Sequence, residues 1–185
     1  KDCNLILDLA CGTGRFTHHL IKNGKKVISL DSSPTMIEEA KKKVKGIFIL
    51  GDMFNLPFED DYFDGIVIGR VFQHFKNLSP ILKEMKRVVK PNGIIAFDTW
   101  LWSPRCIHKL YNKSHPKVVY GHSIKEIKRT LKRNNLKMIK YKSFFLLPPG
   151  IYSRIPFGIV KVLNFIEKVV PNSLKVKTFW KVTKL

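Results

Sequence analysis

Short apolar runs alternate with amphipathic segments through the first half of the chain. Runs typical of buried strands, each ending at a polar residue or glycine, cover residues 5–7, 26–30, 46–50, 65–68 and 94–97. Between several of them, apolar residues recur every three or four positions, which predicts helices over 13–23, 34–44 and 78–90. Residues 51–64 are too few for a full crossover helix and are predicted to be mostly loop. Strands that alternate with helices indicate an α/β fold.

The pattern is less regular in the second half. Ser123 and Glu126 have the spacing of a capping box and predict a helix with positions 124, 127 and 131 toward the sheet. The same helix carries lysines and arginines on its outward face. Strands are predicted over 137–147 and 176–182, and residues 105–120 are predicted to be a loop or short helical insert.

Residues 148–175 lie between the last two predicted strands, where Pro148, Pro149 and Gly150 end the preceding strand. Positions 157–170 form an apolar band wider than a surface helix requires. Such a band could pack on the sheet and roof an acceptor site, mediate dimerisation, or lie on a membrane surface beside its lysines. We favour the roof, because ligands of α/β sheets bind at the carboxyl edge.

Length and composition favour one domain over residues 1–185, with 44% apolar residues for its core. No apolar run reaches the length of a membrane span, and residues 1–8 lack the apolar core of a secretory signal, so we expect a cytoplasmic protein. Cys3, Cys11 and Cys106 have neither disulfide nor metal-ligand spacing, so we expect reduced thiols and no metal. His108 and His115 are interpreted as surface residues for the same reason.

The net charge of +20 is unevenly distributed. Residues 1–98 carry 15 basic against 12 acidic residues, whereas residues 99–185 carry 19 against 2, a net +17. This excess predicts either weak contact with a polyanion or membrane surface, or merely a solvated lysine-rich face.

The segment LILDLACGTGRFT, residues 5–17, predicts a strand, a tight turn and a helix. Gly12 and Gly14 allow a ligand to approach the main chain, and the free N–H groups that open the next helix favour a nucleotide-like ligand. Asp31 ends the second strand, where a carboxylate can accept hydrogen bonds from ribose hydroxyls. The alternative role of Asp31 is a helix cap, because Ser32, Ser33 and Pro34 follow as a helix start.

The segment from Asp8 to Gly14 departs from the dinucleotide fingerprint, whose third glycine would fall at Thr17. It resembles the first motif of class I S-adenosylmethionine-dependent methyltransferases. The resemblance continues through GDMFNLPFEDDYFDGIVIG, typical of the small-molecule branch, and EMKRVVKPNGIIAFDTW. It implies a Rossmann-like, three-layer αβα fold with a seven-stranded, mostly parallel sheet in the order 3-2-1-4-5-7-6, the last strand antiparallel.

The same resemblance implies S-adenosyl-L-methionine as cofactor. The glycine loop would receive the methionine carboxylate, Asp31 the ribose, and Asp52 with Met53 the adenine. The candidate cofactor-binding residues are Asp8, Ala10, Gly12, Thr13, Gly14, Phe16, Asp31, Ser32, Met36, Asp52, Met53, Gly69, Arg70 and His74. His74 is interpreted as a wall of the cofactor pocket rather than a base, and the sequence singles out no catalytic residue.

The acceptor is predicted to be a small molecule or a lipid-like compound. The Asn-Pro-Pro-Tyr and Asp-Pro-Pro-Tyr tetrapeptides of amino-group methylation on nucleic-acid bases are absent from the sequence. A transfer RNA or ribosomal RNA acceptor stays open because of the basic half, as does a domain that binds the cofactor or an anionic surface without turnover. The sequence leaves the oligomeric state open.

Overall fold

The computed structural model describes residues 4–101, 119–145 and 156–184. These residues form a seven-stranded sheet in the order β3-β2-β1-β4-β5-β7-β6. Its strands are β1 Leu5–Leu9, β2 Lys26–Asp31, β3 Ile47–Leu50, β4 Phe63–Ile68, β5 Val89–Trp100, β6 Leu136–Phe144 and β7 Lys177–Lys184. Strands β1 to β5 pair in parallel, and β7 lies antiparallel between β5 and β6. The predicted fold class and strand order are confirmed.

The described residues contain five helices. They are α1 Arg15–Lys22, α2 Pro34–Lys43, α3 Ser79–Val88, α4 Ile124–Arg133 and α5 Phe157–Val169. Single 3₁₀ turns cover Phe72–His74 and Asn172–Leu174. Helices α2, α3 and α4 each bury apolar side chains on one face, as the sequence pattern predicts, whereas in α1 only Thr17 is fully buried.

The core lies on both faces of the central strands, as expected for parallel strands covered by helices. Leu7, Ile66 and Ile95 are buried in β1, β4 and β5, and Ile81 and Met85 of α3 pack into the same apolar cluster. Toward β7 the core is aromatic. The ring centroid of Phe97 lies 5.0 Å from that of Phe72 and 6.1 Å from that of Trp180.

The connection between β3 and β4 contains no helix in the structure, as predicted. Arg87 of α3 holds it in place by donating to the carbonyl oxygens of Leu56 and Phe58 at 2.9 and 2.7 Å. Glu84 accepts from the Leu56 N–H and also pairs with the Arg87 guanidinium. One helical turn of α3 therefore supplies hydrogen bonds that add to those within the loop.

Two elements differ from the sequence expectation. Helix α3 ends at Val88 and β5 begins at Val89, because Val89 already pairs with Phe63, and an irregularity then moves the register to Gly65 and Ile94. The turn Pro91–Gly93 thus interrupts the pairing within β5, with Asn92 at a φ of 58°.

Helix α5 is the second difference. It forms where the apolar band was recognised, but none of its side chains is buried. Val160 and Leu163 are half-buried, and the other apolar side chains of the helix are exposed. The expectation that this band packs on the sheet is therefore wrong for most of the described helix.

Several predictions fall outside the described residues. They concern Cys3, Cys106, His108, His115, most of the loop over 105–120, and the Pro148-Pro149-Gly150 break. Within the described ranges, no helix has both the length and the apolar character needed to cross a membrane.

Candidate functional site

The carboxyl ends of the parallel strands β1 to β4 meet along one edge of the sheet, where α/β proteins bind ligands. The loop after β1 bears the two glycines, β2 ends at Asp31, Asp52 follows β3, and Gly69 follows β4. The fold thus brings to one edge the segments that the sequence analysis singled out separately.

The loop from Ala10 to Gly14 joins β1 to α1 through left-handed backbone conformations. The φ angles of Ala10, Gly12 and Gly14 are 54°, 55° and 77°. A Cβ at Gly14 would approach the Cβ of Ala40 to 3.3 Å, whereas a Cβ at Gly12 would meet no atom within 4 Å. Gly14 therefore allows α1 to pack against α2, and the open side of Gly12 leaves the main chain accessible to a ligand.

Asp31 links the end of β2 to the glycine loop. Its Oδ2 accepts a hydrogen bond from the Gly12 N–H at 2.8 Å, and its Oδ1 accepts from the Ser33 N–H at 3.0 Å. The N-cap of α2 is Ser33, whose side chain accepts from the Met36 N–H. The capping role considered for Asp31 thus belongs to Ser33, and each Asp31 oxygen keeps a further lone pair for a ligand.

Asp8 lies directly beneath the loop and is 1% exposed. Its Oδ2 accepts a hydrogen bond from the Thr17 hydroxyl at 2.6 Å, while its Oδ1 has no hydrogen-bond partner. Burial raises the pKa of this carboxyl to about 6, with a smaller contribution from the nearby charge of Asp31. Burial also raises the pKa of the Cys11 thiol to about 12, so Cys11 stays neutral. A buried acid with a free oxygen can receive a cationic ligand group.

Asp52 and Met53 occupy the turn after β3. The Asp52 Oδ1 accepts from the Phe54 N–H at 2.9 Å, and the side chain is exposed. Met53 is half-buried and packs against the main core cluster. The Gly51 N–H donates to the Asp31 carbonyl oxygen at 3.0 Å, which ties this turn to the end of β2. An exposed carboxylate and an apolar side chain are thus adjacent beside Asp31.

The turn after β4 brings Gly69 and Arg70 to the same edge. A Cβ at Gly69 would come within 2.4 Å of the Phe16 ring, so any larger residue at position 69 would clash with this ring. Arg70 is exposed at a φ of 62°, and its N–H donates to Asp98 Oδ1 at 2.7 Å. His74 is exposed in the 3₁₀ turn, which fits a pocket wall better than a buried base.

The remaining sequence candidates lie on the rim of this region. Thr13 and Ser32 are exposed in the loops after β1 and β2, and Met36 is 42% exposed on the first turn of α2. All three side chains are therefore accessible to a ligand.

Two arrangements at this edge escaped the sequence analysis. The Lys177 ammonium lies 2.8 Å from Asp98 Oδ2, and both side chains are nearly buried. His122 is 2% exposed, and its Nε2 lies 3.2 and 3.0 Å from the carbonyl oxygens of Phe72 and Phe75. Both contacts join residues far apart in the chain, and no local motif marks them.

A groove of about 900 Å³ lies beside α4 and shares no residue with the glycine loop. Four basic side chains of α4 line it together with Tyr141, Leu101 and Asn172, namely Lys125, Lys128, Arg129 and Lys132. The Lys128 ammonium lies 4.9 Å from the centre of the Tyr141 ring. The basic face of α4 is therefore one side of a concave surface rather than a flat solvated stripe.

Comparison with known proteins agrees with this geometry. Residues 7–97 match the family described as "Methyltransferase domain". A demethylmenaquinone methyltransferase of Thermotoga maritima is 42% identical over 91 residues, which are 48% of this chain and 40% of that protein. A malonyl-[acyl-carrier protein] O-methyltransferase of Yersinia pestis is 36% identical over 96 residues, covering 51% of this chain and 36% of that protein.

Solved structures resemble the whole fold at low sequence identity. A putative methyltransferase of Haloferax volcanii, solved with the Trm112 activator, has a TM-score of 0.74 and 18% identity, covering 99% of this chain and 83% of that one. Geranyl diphosphate C-methyltransferase from Streptomyces coelicolor, solved with S-adenosyl-L-homocysteine, has a TM-score of 0.73 and 16% identity, covering 98% and 74%.

The order of the sheet is that of the class I methyltransferase fold. Residues 7–97, which are 91 of the 185 residues, match the methyltransferase domain family. The chain spans less than half the length of the two curated relatives it matches.

Proposed function

We propose that this chain is an S-adenosylmethionine-dependent methyltransferase domain that acts on a small-molecule or lipid-like acceptor. The observation that carries the proposal is the 2.8 Å contact between the Gly12 N–H and Asp31, which joins the glycine loop to the acid at the end of β2. All the sequence candidates for cofactor binding lie within the matched residues 7–97. The named relatives act on quinone and acyl-carrier substrates, which supports an acceptor outside nucleic acid.

In this proposal the glycine loop and the start of α1 bind the methionine carboxylate, and Asp8 holds the methionine ammonium beneath it. Asp31 accepts hydrogen bonds from the ribose hydroxyls, while Asp52 and Met53 contact the adenine. Phe16, Gly69, Arg70 and His74 form the wall toward the acceptor. Thr13, Ser32 and Met36 line the rim, with Ala10 shaping the loop at its left-handed φ.

When bound, the cofactor supplies a methyl group on a sulfonium, which is already a reactive electrophile. The chain then has to align the acceptor atom with the methyl group and exclude water, which accounts for most of the rate in such transfers. A general base is required only where the acceptor must lose a proton. The proposal therefore assigns binding and orientation to the named residues and no covalent role.

The proposal extends to organisation and context. We propose that residues 1–185 act as one cytoplasmic methyltransferase domain, in which 148–175 is an insertion between the last two strands. The basic half adds weak contact with polyanions or a membrane surface without setting the acceptor.

An RNA acceptor is the second candidate, because the groove beside α4 combines four cations with the half-buried aromatic ring of Tyr141. Cations that track a backbone and aromatic rings that stack on bases are the usual elements of RNA binding. A labelled-methyl assay on lipid, small-molecule and RNA extracts separates the two candidates, and labelling of none would indicate a binding domain without turnover.

Calorimetry with S-adenosylmethionine and NAD tests the cofactor assignment. We expect the chain to bind S-adenosylmethionine, and Asp31→Ala to weaken binding by about 1 to 3 kcal/mol through loss of charged hydrogen bonds. Glu38→Ala, which removes an exposed carboxylate on the adjacent α2, is the matched control. Tight NAD binding with no response to S-adenosylhomocysteine would contradict the proposal.

A further inference from the structure

Helix α5 has two faces that differ in exposure. Val160, Leu163 and Glu167 are half-buried and recur at a spacing of three and four, so they lie on the face toward the protein. The opposite face carries Val162, Phe165, Ile166 and Val169, with exposed fractions of 57%, 68%, 38% and 76%. The larger apolar stripe of this helix therefore faces away from the fold.

The positions of this stripe follow the i, i+3, i+4, i+7 spacing of a helix that buries one continuous face. Scattered apolar residues on a surface are ordinary, but a contiguous apolar face indicates an interaction surface. Transfer of each of these side chains from water to an apolar surrounding would be favourable. The stripe thus fits a partner that α5 meets along its length.

Charges border this stripe on one side. Lys161 and Lys168 are seven residues apart and lie on the same edge of α5, next to Phe165. The Lys161 ammonium lies 4.9 Å from the centre of the Phe157 ring, so its stem follows the apolar surface while its charge stays outside. An apolar face edged by lysines is typical of helices that lie in the interface of a membrane.

Size argues against a second copy of this chain as the partner. Helix α5 has 13 residues. At 1.5 Å per residue it is roughly 20 Å long, and a face about 10 Å wide covers roughly 200 Å². A stable dimer buries about 800 Å² on each partner.

Charge complementarity indicates the partner. Residues 99–185 carry 19 basic against 2 acidic residues, so the half of the chain that contains α5 is strongly cationic. Anionic lipid headgroups attract such a surface, and each basic residue near the membrane contributes to binding.

We propose that α5 docks this protein on anionic lipid membranes, with Val162, Phe165, Ile166 and Val169 inserted at the level of the headgroups. The helix lies in the plane of the membrane surface, because 13 residues are too few to cross the hydrocarbon core. The inference goes beyond methyl transfer and does not depend on it, since it concerns a surface that shares no residue with the cofactor site.

Vesicle sedimentation of the full chain tests the proposal. Vesicles of phosphatidylcholine with phosphatidylglycerol are compared with vesicles of phosphatidylcholine alone, at low and physiological salt. We expect the chain to bind the vesicles that contain phosphatidylglycerol about tenfold more tightly than the vesicles of phosphatidylcholine alone. The double variant Phe165→Ser with Val169→Ser should lower partitioning into anionic vesicles by about tenfold or more.

A matched control removes apolar surface elsewhere. The double variant Ile47→Ser with Ile139→Ser truncates side chains that are 59% and 49% exposed on β3 and β6, and it should partition like the unmodified chain. Lys161→Gln with Lys168→Gln should reduce binding to anionic vesicles while leaving the weak binding to neutral ones unchanged.

Three results would overturn the proposal. The first is no partitioning of the unmodified chain into anionic vesicles, and the second is equal partitioning of the Phe165→Ser, Val169→Ser variant. The third is a dimer by light scattering that this double variant converts to monomer. Calorimetry with S-adenosylhomocysteine, run on every variant, reports separately on the proposed cofactor site.

Discussion

Asp8 combines deep burial with an incompletely satisfied carboxylate, and this combination affects stability. Its pKa is raised from 3.8 to about 6 by burial, so the folded protein holds the proton more tightly than the unfolded chain does. The contribution of protonated Asp8 to stability is complete below about pH 4 and is lost as the pH rises through 6. The ionised form at neutral pH is thus maintained at a cost to the fold, as is common for binding residues.

We therefore expect the unfolding free energy of the Asp8→Asn variant to increase, relative to that of the unmodified chain, as the pH rises from 4 to 6. The gain in unfolding free energy between these limits should be about 1 to 3 kcal/mol, because one pKa unit corresponds to about 1.4 kcal/mol. Urea unfolding at several pH values measures it, with Asp52→Asn, an exposed carboxylate, as control. A stability difference that does not vary with pH would show that burial of Asp8 has no such effect.

The pairing of Gly12 with Asp31 could be anticipated from the sequence, whereas other contacts at the same edge could not. A glycine loop and an acid at the end of the next parallel strand must lie at adjacent strand ends, and the structure joins them at 2.8 Å. The ion pair of Asp98 and Lys177 depends on β7 lying next to β5, which no local pattern reveals. His122 precedes an ordinary helix cap, and only tertiary structure places its ring under the carbonyls of Phe72 and Phe75.

Among the elements, the connection between β3 and β4 depends on one side chain of α3. The Arg87 guanidinium donates to two carbonyl oxygens of this loop and pairs with Glu84 and Asp60. These carboxylates raise the pKa of Arg87 further above its usual value, and Arg87 in turn lowers the pKa of Glu84. Loop and helix are thus held by charge-assisted hydrogen bonds.

Arg87→Met should lower the unfolding free energy by about 1 to 3 kcal/mol, since two carbonyls and Glu84 lose their donor while the aliphatic stem is kept. Amides of residues 55–60 should then exchange hydrogen faster. Lys83→Met, on the exposed side of the same helix, is the control and should change little. If the two variants unfolded alike in urea, the connection would not depend on Arg87.

The elements show where sequence patterns succeed and where they fail. Strands β1, β2 and β4 are mostly apolar because helices cover both faces, so their positions follow from the sequence. The strand order followed from family resemblance, since periodicity carries no information on which strands are neighbours. The apolar band of α5 was recognised, but its partner was not, because a hydrophobic stripe does not specify what it contacts.

At the scale of the whole molecule, the basic groove beside α4 is the feature that distinguishes the candidate acceptors. Its cations lie on the outward face of a helix whose inward side chains, Ile127 and Leu131, are each 1% exposed. The charges can therefore be removed without disturbing the core.

We expect the variant with Lys128, Arg129, Lys132 and Arg133 changed to Gln to lose weak, salt-sensitive binding to RNA and other polyanions. It should still methylate an apolar or amphipathic acceptor, because the cofactor residues lie elsewhere. Salt titrations of RNA binding report the number of counterions released. A charge-matched variant with Lys22, Lys25, Lys41 and Lys45 changed to Gln controls for net charge. Normal cofactor binding with no methylation of the acceptor, at low and physiological salt, would favour nucleic acid.

The position of β7 between β5 and β6 has a consequence for the order in which the chain assembles. In the described sheet, β6 pairs with β7 alone, and β7 follows it in the chain. During synthesis β6 therefore emerges before its partner strand. Until β7 follows, both edges of β6 are unpaired, and unpaired strand edges tend to aggregate. Lys137, Lys140 and Lys142 place exposed charges along β6. Part of the basic excess thus protects a strand that joins the sheet late and remains its outer edge.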